Sequence, residues 1–103
     1  MTLGSGTDVN PRDGDRVKIE VDLAGGVVAE ARVVQSGCEV STKAAAALAR
    51  LARGQSQGDV LGYDVPLVTT QLGRLDEEQE RCVAVAIGAL RNAIVSAHTR
   101  TSA

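Results

Sequence analysis

The chain has 103 residues, with hydrophobic residues at 44%, charged residues at 23%, aromatics at 1% and a formal net charge of -2. That length suits one domain, and without Phe or Trp its core has to be built from Val, Leu, Ile and Ala. A weakly acidic chain whose one aromatic is Tyr63 offers neither a phosphate-tracking surface nor a base-stacking platform, so nucleic acid is not an expected partner.

The N-terminus, "MTLGSGTDVNPRDGD", has neither the basic start nor the apolar stretch of an export signal, and no apolar run approaches the length of a bilayer span. A cytoplasmic protein with no membrane partner is therefore expected. In a reducing compartment Cys38 and Cys82 are more suited to metal binding or reactivity than to a disulfide, if they meet at all.

In chain order, residues 1–9 are small and polar and read as a loose lead-in. From Arg16 to Leu23 the alternation is strict, with Val17, Ile19, Val21 and Leu23 on one face, which predicts a half-exposed strand. "AGG" at 24–26 supplies a turn and 27–35 is β-branched, so 16–23 and 27–35 pair as an antiparallel hairpin. A helix is predicted over about 42–53, capped by Ser41 or Thr42 and stopped at Gly54. Residues 55–63 read as a connector with one helical turn at 59–61, and Asp64 caps a short helix that tolerates Pro66 and ends before Gly73.

The last segment, "LDEEQERCVAVAIGALRNAIVSAH", places Cys82, Ala86, Ala89, Ala93 and Ala97 on one helical stripe beside Val83, Ile87, Leu90 and Ile94. Asp76, Glu77 and Glu78 suit its positive N-terminal end. Strands followed by helices make an α+β fold, a small antiparallel sheet with helices on one face.

Four residues can carry chemistry. In "NPRDGD", Asp13 and Asp15 alternate along an extended segment and can share a face, where two carboxylates repel unless a cation or proton intervenes; the same residues also serve as a solvated acidic turn. Cys38 precedes a helix N-terminus, a place that favours thiolate, and equally fits a small buried corner residue. Cys82 lies on the apolar stripe and on its own reads as core. His98 reads as a surface residue without a role, and hydrolase triads, phosphate-binding Gly loops and zinc-protease spacings are missing.

In sequence order, "NPRDGDRVKIEVDL", "SGCEVSTKAAAALARLARGQS" and "LDEEQERCVAVAIGALRNAI" resemble the iron-sulfur scaffold family of NifU N-terminal domains, IscU and SufU. That family has "NPxCGD" leading into a strand, "GC" at a strand-to-helix corner before a helix ending in "KGK", and a third Cys opening the last helix. The resemblance implies that Cys38 and Cys82 are the second and third ligand cysteines, that Asp15 is the family's nearby aspartate, and that Asp13 replaces the first cysteine. Arg81 stands where scaffolds often have His or Lys; it cannot ligate a metal but can offset thiolate charge. Family members usually carry a helix and more chain before the first motif, so a bare sheet face or edge, and a homo-oligomer covering it, are expected here.

The implied function is a scaffold or carrier holding a labile 2Fe-2S cluster or Zn2+ at Asp13, Asp15, Cys38 and Cys82, with a cysteine desulfurase and recipient apo-proteins as partners. A zinc-dependent sulfur acceptor, with Cys38 taking persulfide sulfur, is a second reading. A divergent partner-binding module without metal is a third. No enzymatic activity beyond sulfur transfer is expected.

Overall fold

The computed structural model describes residues 1–12 and 14–102, the last two by backbone alone. Three strands, β1 (Thr2–Val9), β2 (Arg16–Ala24) and β3 (Val27–Gln35), are followed by four helices, α1 (Glu39–Ala52), α2 (Gln57–Leu61), α3 (Val65–Leu72) and α4 (Glu77–Ser102). The sheet is an antiparallel meander in the order β1-β2-β3. The α+β class and the predicted hairpin are observed. Gly25 and Gly26 take φ of 60° and 80°, the left-handed pair that a two-residue hairpin turn needs to follow the twist of its strands.

The lead-in expected at residues 1–9 is instead the strand β1, paired with β2 along its whole length. Its glycines misled the reading because strand propensity counts Gly as a breaker. Here they serve a close approach: a Cβ on Gly4 would run into the backbone of Ala93 and Ala97, and one on Gly6 into that of Ala89 and Ala93. The Ala stripe of α4 meets strand backbone directly, and the two elements touch without intervening side chains.

β1 also occupies the sheet margin that was expected to be bare. Asn92 and Arg100 on α4 donate to the Thr7 and Leu3 carbonyls at 3.0 and 3.1 Å, and these positions lie on the same side of β1. On β3, Val28 exchanges backbone hydrogen bonds with Gln55 and Gly54 at 2.9 and 2.8 Å, and Arg53 donates to the Ala31 carbonyl at 3.3 Å. Both margins are thus tied to other parts of the chain. On the outer sheet face Arg32 bridges Glu20 and Asp22, both at 3.1 Å.

The core matches its expected composition. Val17, Ile19 and Val21 from β2, Ala45 and Leu48 from α1, and Leu90 and Ile94 from α4 are fully or almost fully buried between one sheet face and the helices. The sequence shows no apolar run of bilayer length, yet α4 contains an 18-residue window with a mean hydropathy of 1.3, so by length and composition alone it is a candidate span. Its apolar stripe lies against β1, β2 and α1, so here that hydropathy builds the core of the domain.

Candidate functional site

α1 begins at Glu39, three residues earlier than predicted, because Cys38 and not Ser41 or Thr42 is its N-cap. The Cys38 Sγ accepts from the Ser41 N-H at 3.3 Å, and the Ser41 hydroxyl accepts from the Cys38 N-H at 3.0 Å. This is a reciprocal capping box with sulfur in the place of the usual hydroxyl. Cysteine is a weak acceptor and ranks outside the favoured caps, so cap preferences pointed to the hydroxyls that follow it. The spacing from Cys38 to Ser41 was the available signal.

Burial pushes the Cys38 thiol up, but its side-chain hydrogen bonding with Ser41 and Cys82 and the backbone N-H groups of Ser41 and Val40 outweigh this. The net pKa lies below that of an ordinary thiol. The expectation from a helix N-terminus thus holds in direction, with local hydrogen bonds supplying the cause.

Cys82 sits near the start of α4, 7% exposed, and its Sγ is 3.1 Å from that of Cys38. The two are thiols, not a disulfide. Asp76 and Gln79 fix that end of α4 with a second reciprocal box, the Gln79 N-H donating to Asp76 Oδ1 at 2.8 Å and the Asp76 N-H to Gln79 Oε1 at 2.9 Å.

The third segment is the loop between β1 and β2. Asn10 is 2% exposed and organises it: its N-H donates to the Asp15 carbonyl at 2.8 Å, its carbonyl accepts from Gly14 at 2.8 Å, and its Oδ1 accepts from the Arg12 N-H at 3.0 Å. Asp15 thereby comes beside the cysteine corner, where a Cβ on Gly37 would collide with its side chain. Gly37 is therefore needed for the approach of Asp15. Asp13 lies outside the described residues. Among the described residues no group of three or more His, Cys, Asp or Glu side chains is arranged to hold a metal ion.

Arg81 is held by carboxylates of its own helix. Its guanidinium pairs with Glu77 and Glu78 at 3.2 and 3.0 Å, and Glu78 also takes Arg12 from the loop at 3.2 Å. The cation before Cys82 is thus engaged with carboxylates of its own helix, and Glu78 links that helix to the loop. His98 is exposed, as expected, at the far end of α4.

The model of the NifU-like N terminal domain matches residues 1–103, and the chain belongs to that family of iron-sulfur cluster assembly scaffolds. Among solved structures it is similar to the protein assigned as the iron-sulfur cluster assembly scaffold of the SUF system in the thermophile Fervidobacterium islandicum AW-1. The TM-score is 0.67 at 14% identity, over 88% of this chain and 79% of that one. A hypothetical protein of known crystal structure aligns with a TM-score of 0.54 at 14% identity, over 97% of this chain and 79% of the other. At such identity these neighbours speak for the fold alone. No curated protein sequence matches the chain.

Proposed function

We propose that this chain is an iron-sulfur cluster assembly scaffold or carrier that holds its cargo transiently at Cys38 and Cys82, with Asp15 and Asp13 as oxygen ligands. The observation that supports this most is the 3.1 Å approach of two sulfurs 44 positions apart in the chain. Two sulfurs on one tetrahedral ion, each bound at about 2.3 Å, stand about 3.8 Å apart, so admitting an ion opens the pair by less than about 1 Å. Two soft donors with hard oxygens suit Zn2+ as well as iron, and oxygen ligation makes a cluster more labile than cysteines alone. A labile cluster fits a carrier that must pass its cargo from a cysteine desulfurase system to recipient apo-proteins in the cytoplasm.

The test is anaerobic reconstitution with iron and sulfide, followed by absorbance between roughly 320 and 420 nm, where iron-sulfur centres absorb. The signal is expected in the unaltered chain and lost in the double variant Cys38→Ala, Cys82→Ala; equal signals from both reject the site. A second reading, a zinc-poised sulfur acceptor, is favoured by the hydrogen bonds that stabilise Cys38 as thiolate. Metal analysis that finds no metal dependent on the two cysteines would favour a partner-binding module instead.

A further inference from the structure

We propose that Cys82 resolves a persulfide formed on Cys38, so that the thiol pair itself reduces incoming sulfane sulfur to sulfide at the place where the cargo is built. The proposal deepens the sulfur-acceptor reading and rests on it. Cys38 is partly exposed and Cys82 is 7% exposed, so a bulky donor meets Cys38 first while Cys82 stays shielded behind it. Their sulfurs are already 3.1 Å apart. A disulfide needs about 2.05 Å, so about 1 Å of closure completes the bond.

The chemistry balances without a further reductant. In the first step the Cys38 sulfur attacks the terminal sulfur of a donor persulfide and the donor leaves as a thiol. In the second, the Cys82 sulfur attacks Cys38 Sγ; the Sγ-Sγ bond forms, the bond to the terminal sulfur breaks, and that sulfur departs with the electron pair as hydrosulfide. Each cysteine is oxidised by one electron and the sulfane sulfur is reduced by two. The two cysteine protons end on the donor thiol and on the sulfide.

Composition sets the stoichiometry. The chain has 2 cysteines, and both are in the pair, so no internal thiol can reopen the disulfide. One sulfide per chain is released, and an external dithiol must restore the pair before a second turnover.

The experiment mixes reduced, metal-free protein with one equivalent of cysteine persulfide without oxygen, and measures released sulfide above the donor alone together with the intact mass. The unaltered chain is expected to release about one sulfide, to lose the mass of two hydrogens and to yield a linked Cys38-Cys82 peptide. Cys82→Ser, with Cys82→Ala as a second variant in case the serine hydroxyl disturbs the helix, is expected to retain one added sulfur on Cys38 and to release at least tenfold less sulfide. A stable added sulfur on the unaltered chain, or variants that release sulfide at its rate, would overturn the proposal. If no chain gains sulfur or releases sulfide, sulfur transfer itself fails and this proposal with it, while cluster holding is still judged separately by the iron reconstitution.

Discussion

The two ends of α4 do opposite kinds of work. Along its middle and C-terminal half, Ala89, Ala93 and Ala97 meet Gly4 and Gly6, and what matters is the lack of side-chain bulk. Near its N-terminus Cys82 meets Cys38, and what matters is the reactivity of side chains brought together. The comparison shows how an aliphatic domain with little bulk per residue places a site. Tight backbone contact along β1 fixes the line of the helix, and that line brings its first turns to the corner where β3 passes into α1.

The largest effect is expected where that contact is broken. In Gly6→Val, backbone atoms of Ala89 and Ala93 obstruct the new side chain and cannot move aside as a flexible side chain would. A loss of more than about 3 kcal/mol is expected in chemical denaturation, at the upper end for overpacking. A variant as stable as the parent would show that the strand-helix contact does not set the frame.

Gly37→Ala moves the disturbance to the other end. Its Cβ runs into the Asp15 Cβ, which no side-chain rotation moves, so the loop carrying Asp15 has to shift, at a cost of about 1 to 3 kcal/mol. Metal or cluster retention should fall by about 10-fold or more, as for changes that misplace a ligand. Equal retention in competition with a chelator would remove Asp15 from the site.

Cys38 belongs to both regions, because it caps α1 and faces Cys82. Cys38→Ala is expected to cost about 1 kcal/mol through the lost cap, and Cys38→Ser to recover most of it while retaining no cluster. Because its pKa is lowered in the folded chain, the thiolate contributes stability above the ordinary thiol pKa, and that contribution is lost as pH falls through the folded value. Alkylation of Cys38 followed against pH should therefore show a midpoint below that of the same cysteine in the unfolded chain. The smallest effect belongs to Glu78→Gln, which frees Arg12 and leaves Arg81 its exposed pair with Glu77. A few tenths of a kcal/mol or less is expected in thermal unfolding.

Legibility in the sequence followed the same division. The hairpin, α3 and the long last helix were readable because period-2 and period-3.6 patterns are local. β1 was not, because Gly4 and Gly6 make sense only once α4 lies across them, a contact nearly ninety positions away in the chain. At the site, Cys38, Cys82 and Asp15 were named from three motif segments, whereas the parts that arrange them were missed. Ser41 reads as a cap from sequence but completes the box on Cys38, and the loop-ordering bonds of Asn10 and the pairing of Arg81 with Glu77 and Glu78 leave no mark in the sequence. Those roles depend on which hydrogen-bonding group lies nearest in space, which neither propensity nor spacing encodes.

The tied margins of the sheet also bear on how copies of the domain can associate. With Asn92 and Arg100 seated on β1 and the 53–57 segment seated along the first half of β3, neighbouring molecules find few vacant strand groups to pair with. A domain closed in this way is guarded against the edge-to-edge stacking that leads to fibrils.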